Sequence, residues 1–245
     1  MYQYKAVEQA MRKNGGFATL SYLYAHATRI PGCNWGTKTP FASIRRIVQD
    51  HDELFFKIKP GLWGLSSEKE KVFTSLGIDA VTESPKNITF DHSYYQGLAV
   101  QLGNFRGYQT YIPNQDQNKP FLGGKLWDVS TLHEFPDFTY ENMIQRARTI
   151  DAIWFNERRL PHAYFEIEHS TDIYNSLLKF VEFQDFRIEF FIVADALRES
   201  EYASKIRQSA FKPLESHLHF LDYEKLSSLH DKYAQVAVTQ AGLNL

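Results

Sequence analysis

The residues of this 245-residue chain best suited to chemistry are acids set two apart on a short apolar segment. In AYFEIEH (163–169) the alternation of a strand places Tyr164, Glu166 and Glu168 on one face and Phe165 and Ile167 on the other, so the two glutamates project side by side. Upstream, IDAIWF (150–155) is an apolar strand interrupted by Asp151, and residues 156–161 supply the turn between the two. A hairpin symmetric about that turn sets Asp151 opposite Glu166, and three carboxylates then share a patch. Like charges a few ångströms apart cost stability unless a proton or cation intervenes, and all-oxygen clusters suit hard divalent ions such as Mg2+ or Mn2+. The competing reading of the same acids is a solvated, exposed hairpin face.

Other candidates are sparser. Lys179, two turns into the helix expected after the acidic strand, reads as a helix-surface lysine, with a role beside the acids as the alternative. His92 and His169 flank the first helix of this region and the acidic strand, where either could contact a phosphate or donate a proton. His217 and His219 in HLHFL share a strand face, but no nearby carboxylate or third histidine is evident, which favours packing or surface roles. A single cysteine, Cys33, excludes an internal disulfide and cysteine-rich zinc sites, and Gly103, Gly107, Gly123 and Gly124 form no phosphate-cradling motif.

Several elements must position the acids. A helical pattern over 93–103 ends at Gly103, a strand covers 109–113, residues 114–139 read as a loop excursion, and 140–148 returns to helix. After the acidic strand, Ser170 or Thr171 can cap a helix running to about Phe183, and 188–194 is a nearly all-apolar strand of the kind buried on both faces. The expected fold class is α+β with two domains: residues 1–66, a linker with a small helix over 67–91, and an α/β domain with a mixed sheet over 92–245.

The N-terminal part reads as three helices and a hairpin. Ala6, Val7, Ala10 and Met11 lie at helical spacing before Gly15 and Gly16; Thr19 caps a second helix; Thr39 and Pro40 open a third, with Phe41, Ile44, Ile47 and Val48 as its apolar stripe. Residues 55–58 alternate toward a turn at Pro60 and Gly61, and 62–65 return, with Lys57 and Lys59 near the tip. That order is a winged helix-turn-helix. Charge divides along the same line: residues 1–66 hold nine Lys and Arg against four acids, a net of +5, while the rest holds eighteen against twenty-five, a net of −7. A basic module beside an acidic one suggests that the first meets a polyanion. No run approaches the roughly 20 apolar residues of a membrane span and the start lacks an apolar signal core, so no membrane partner and a cytoplasmic location are expected.

With the ending FFKIKPGLWGL, residues 1–66 resemble the HARE-type winged helix-turn-helix domain of bacterial restriction enzymes and some chromatin proteins. The resemblance implies double-stranded DNA binding, with Lys38, Thr39, Ser43, Arg45 and Arg46 of the third helix toward bases or phosphates and Lys57 and Lys59 on the backbone. The region from about 92 to 222 resembles the PD-(D/E)XK nuclease core, and IDAIWF with FEIEHSTDIYNSLLKF is similar to bacterial proteins pairing a winged helix with a restriction-endonuclease-like domain. This implies that Asp151 and Glu166 are ligands of Mg2+, or of Mn2+. Glu168 stands where the motif usually has lysine and acts as ligand or water orienter, and Gln96 stands where many members have glutamate and holds a water or the phosphate. The implied activity is metal-dependent cleavage of duplex DNA, of restriction or phage-defence type, by a homodimer at least on DNA. The alternative is a non-enzymatic DNA-binding protein or regulator with a decayed nuclease domain.

Overall fold

A computed structural model describes residues 1–79, 84–169 and 172–243. The chain runs through α1 (Gln3–Lys13), β1 (Phe17–Thr19), α2 (Leu20–His26), α3 (Pro40–Asp50), β2 (Phe55–Lys59), β3 (Leu62–Leu65) and α4 (Lys69–Leu76). It continues with α5 (Pro85–Phe105), β4 (Gln109–Tyr111), β5 (Pro120–Phe121), β6 (Gly124–Lys125), α6 (Leu126–Val129), α7 (Glu141–Ala147), β7 (Ala152–Phe155) and β8 (Pro161–Glu168). Last come α8 (Ile173–Val181), β9 (Glu189–Ala194), α9 (Glu199–Ile206), β10 (Leu218–Asp222) and α10 (Tyr223–Leu243).

The chain divides into two compact units, Met1–Asn87 with Ser227–Leu245 and Ile88–Leu226. The division falls within α5 and α10, whereas sequence places it on either side of a linker at 67–91. Those residues hold α4, the small helix expected there, and also the start of α5.

In the first unit the apolar spacing of α1 buries Ala6, Val7, Ala10 and Met11 against Leu23, Tyr24, Ile44 and Val48, with Val238 of α10 packed on the same core. Its sheet has the order β1-β3-β2. The Thr19 hydroxyl accepts from the Tyr22 amide at 3.2 Å and starts α2. Thr39 stands at the N-cap of α3 without a side-chain cap bond, leaving Pro40 to pre-set the first turn. Gly61 takes φ +77°, the left-handed conformation that closes the β2–β3 turn without a Cβ clash.

In the second unit a five-stranded sheet has the order β10-β9-β8-β7-β4, with β8–β9 and β9–β10 parallel and β7–β8 and β4–β7 antiparallel, a mixed α+β arrangement. Ala152 pairs with Phe165 and Ile153 with Tyr164, and the register shifts only toward the turn, between Trp154 and Phe155. One sheet face, carrying Ile153, Phe155, Tyr164, Phe190 and Ile192, buries with Ile173, Leu177 and Phe180 of α8 in one core cluster. From the other face the Trp154 indole donates to the Ala99 carbonyl of α5 at 2.9 Å. Ser170 and Thr171, the expected caps of α8, lie outside the described residues; the Asp172 side chain caps the helix by accepting from the Tyr174 amide at 3.0 Å.

α5 begins earlier than its apolar spacing predicts and does not stop at Gly103. That glycine is a close-approach position: a Cβ there would sit 2.6 Å from Trp154 Nε1. Gly103→Ala is therefore expected to lower unfolding stability in urea by about 1–3 kcal/mol, by displacing Trp154 from Ala99. A neutral result would show that the helix can move off the sheet.

Candidate functional site

Strand register puts Asp151 immediately before β7, one residue ahead of the Ala152–Phe165 pair, and Glu166 one residue beyond it on β8. The Asp151 carboxylate accepts from the Ile167 amide at 2.8 Å, which fixes the acid against the neighbouring strand. Glu166 and Glu168 are 2% and 4% exposed, so the exposed-face reading fails for both: α8 covers the sheet face from which they project. The Ser176 hydroxyl donates to Glu166 Oε2 at 3.1 Å and is also hydrogen-bonded to Glu168.

Lys179 is the residue that sequence reading undervalued. One turn beyond Ser176, its ammonium donates to the two Glu166 oxygens at 2.9 and 2.7 Å and to the Thr149 carbonyl at 3.3 Å, so it is an inward partner of the acids and not a surface lysine. The signal lay in the pattern, since Ser176 and Lys179 interrupt the buried stripe of Ile173, Leu177 and Phe180.

These side chains line a cleft of about 310 Å3 together with His92, His169, Asp172 and Asn175. His92 Nε2 lies 3.4 Å from Asp151 Oδ2, and His92 Nδ1 is buried without a hydrogen-bond partner. His169 Nδ1 is 3.5 Å from the Tyr223 hydroxyl.

Gln96 does not reach the cleft expected of it. It is fully buried on α5 and donates both amide hydrogens inward, to Asp116 Oδ2 at 3.0 Å and to the Asp151 carbonyl at 2.6 Å. Nothing in the sequence pattern marks Asp116, which comes from the loop excursion. His217 and His219 lie at the surface, one of the two roles expected of them, but not without a carboxylate nearby. Glu189 stands 3.5 Å from His217 Nδ1 and 2.8 Å from His219 Nε2, a carboxylate that only the pairing of β9 with β10 brings near.

Electrostatically the acidic cluster is overloaded. Burial, then the nearby Asp151, pushes the Glu166 carboxyl well above the ordinary carboxylate range; Lys179 opposes that shift and Glu168 adds to it. Among the described residues no group of three or more His, Cys, Asp or Glu side chains is arranged to hold a metal ion. Two carboxylates are nevertheless a sufficient protein contribution for Mg2+, which keeps several waters and takes further ligands from phosphates. The all-oxygen donor set, three carboxylates against the one Lys179 ammonium, fits such an ion.

In the first unit Thr39, Ser43 and Arg46 line a shared surface cleft of about 550 Å3, with Gln3, Thr37 and His51 among its neighbours. Lys38 and Lys57 are exposed and Lys59 is half-buried. Arg45 is not on that cleft: its guanidinium pairs with the buried Asp231 of α10 and donates to the Tyr24 hydroxyl at 3.3 Å. The buried carboxylate of Asp231 needs a counter-charge, and Arg45 supplies it.

A raised carboxyl pKa means that the folded state holds its proton more tightly than the unfolded chain. The stability this contributes is full in acid and is lost as pH rises from the ordinary carboxylate range through the raised value. Without metal, Glu166→Gln is therefore expected to gain thermal stability over the parent chain, increasingly toward neutral pH, by about 1 kcal/mol or more. A difference that stays flat or shrinks with pH would mean that Lys179 neutralises Glu166 completely.

No solved structure matches the chain. The type II restriction enzyme NmeDI of Neisseria meningitidis serogroup C is 22% identical over 187 residues, which cover 69% of this chain and 53% of that protein. The chain thus spans about half the length of the curated relative it matches. The family model of the type II restriction enzyme NmeDI C-terminal domain matches residues 76–243. Those residues include the whole sheet that carries Asp151, Glu166 and Glu168, and the chain belongs to the family of that C-terminal domain.

Proposed function

We propose that the chain is a restriction-type DNA endonuclease in which the second unit, a PD-(D/E)XK-like domain, hydrolyses a phosphodiester of duplex DNA with Mg2+ or Mn2+. The observation that carries the reading is the Asp151–Glu166–Glu168 cluster, its two glutamates buried, opening on a cleft with the Lys179 ammonium among the acids. Asp151 and Glu166 would hold the metal. A divalent ion bound there supplies Lewis-acid polarisation of the phosphate and makes water a stronger nucleophile at neutral pH.

The chain's own groups do the rest. Ser176 orients Glu166 and Glu168 through its hydroxyl. Glu168, where the motif usually has lysine, acts as ligand or water orienter, and Lys179 brings the missing positive charge from α8 to the same place. Its ammonium stands on the cleft wall, where it can stabilise negative charge developing on the phosphate. His92, beside Asp151, is placed to contact the phosphate.

The first unit is read as a winged helix, with α1–α3 followed by the β2–β3 hairpin. Thr39, Ser43 and Arg46 of the cleft along α3, with Lys38, would meet bases or phosphates, while Lys57 and Lys59 would meet the backbone from the hairpin. Arg45 is left out of that surface because Asp231 and Tyr24 hold it. Cutting both strands usually takes two active sites, so the protein is proposed to act as a homodimer on DNA.

The test is incubation of the purified protein with methylated and unmethylated plasmid in Mg2+, Mn2+ or chelator. Discrete fragments with metal and none with chelator are expected. Asp151→Ala and Glu166→Ala should lose cleavage at least about a hundredfold while still binding DNA, and Lys179→Ala should lose about ten- to a thousandfold. Binding without cleavage under every metal would instead make the protein a DNA-binding regulator with a decayed nuclease domain. Full activity of Lys179→Ala would remove that residue from the mechanism.

A further inference from the structure

The second unit contains a buried polar chain that the proposed reaction does not use directly. Gln96 is completely buried, Asp116 is 4% exposed, and the Gln96 amide nitrogen joins Asp116 Oδ2 to the main-chain carbonyl of Asp151. Both partners are acceptors, so only the amide NH2 can face them, and the orientation of the side chain follows from the contacts. Gln96 Oε1 is buried without a partner, so the side chain gives up a hydrogen bond in keeping that orientation.

Asp116 is itself held from three sides. Its amide donates to the Pro113 carbonyl at 2.8 Å, its carbonyl accepts from the Lys119 amide at 2.8 Å, and the Lys119 ammonium lies 2.6 Å from its other carboxylate oxygen. A loop thus delivers a neutralised carboxylate to α5, where it aligns an amide against the backbone of the first acid. Asp151 is pinned at two points, its carbonyl by Gln96 and its carboxylate by the Ile167 amide. With both ends fixed, little freedom remains for the carboxylate that reaches the cleft.

We propose that Gln96, aligned by Asp116, is a positioning residue that sets Asp151 for metal binding through its main-chain carbonyl, and is not itself a ligand. The inference rests on the reading of Asp151 and Glu166 as metal ligands. It also accounts for the amide at a position where the resemblance would put glutamate. A glutamate at this position would turn acceptor oxygens toward a buried carboxylate and a carbonyl, two repulsive contacts in place of two hydrogen bonds.

The test separates positioning from general stability. Q96E should lower the thermal midpoint and reduce Mn2+ affinity, measured calorimetrically on the full chain, by about ten- to a hundredfold, as removal of groups that orient metal ligands does. When Q96E is combined with D116N, the amide introduced on the loop can donate to the carboxylate introduced on α5, so the thermal midpoint should recover. No donor then reaches the Asp151 carbonyl, and Mn2+ affinity and plasmid cleavage should stay low. D116N alone keeps an oxygen on Gln96 only by turning its NH2 to the Lys119 ammonium, so its thermal midpoint should fall, but the Gln96 bond to the Asp151 carbonyl survives and Mn2+ affinity should stay within about threefold of the parent, well short of the loss expected for a disturbed ligand.

Recovery of Mn2+ affinity together with the midpoint in the double variant would overturn the proposal, as would parental Mn2+ affinity in Q96E. If Q96E is too unstable to purify, the double variant carries the comparison. A parent chain that binds Mn2+ and cleaves, beside a double variant that matches it, would sink this inference alone. A parent chain that binds no Mn2+ would sink the metal reading and this inference with it.

Discussion

The ion pair between Lys179 and Glu166 is the constraint on which the rest of the site depends. A carboxylate at 2% exposure, flanked by Asp151 and Glu168, is expensive to keep charged, and the ammonium at 2.7 Å is what makes that charge tolerable without a cation. The pair exists only if α8 lies on the face of β8 that carries the glutamates. That in turn requires the apolar stripe of Ile173, Leu177 and Phe180 to bury against Tyr164, Phe190 and Ile192. Apolar burial therefore positions the helix, and the helix brings its two polar residues, Ser176 and Lys179, onto the acids.

Much of this was legible in the sequence. Alternation in 163–169 placed both glutamates on one strand face, and turn symmetry paired Asp151 with Glu166, a register that Ala152 opposite Phe165 continues. What was illegible depended on other elements. Lys179 reads as a surface residue until the helix face is known, and Asp116 lies in a loop with no periodicity to mark it. Glu189 meets His219 of β10 and His217 just before it only through a parallel pairing that follows a long crossover. The burial of Glu166 and Glu168 was likewise a property of the covering helix, which their own strand could not reveal.

The first unit illustrates the same limit. Spacing located its helices and hairpin, yet the basic residues of α3 could not be sorted by spacing alone. Arg45 and Arg46 are neighbours in sequence with opposite fates. One neutralises the buried Asp231 of α10, more than 180 residues away, and the other lines an open cleft. A helix returning from the end of the chain withdrew one cation from a surface that local pattern had assigned to both.

Family membership bears on residues 76–243; the claim specific to this chain is that Asp151 and Glu166 form a divalent-cation site with Lys179 in place of the usual strand lysine. The most direct measurement is anomalous diffraction from crystals of the full chain soaked in Mn2+. The account predicts a Mn2+ peak bonded to carboxylate oxygens of both Asp151 and Glu166, with the Lys179 ammonium moved off Glu166. A Glu166 still paired with Lys179 and no peak beside it, in crystals of a preparation that cleaves DNA, would contradict the account.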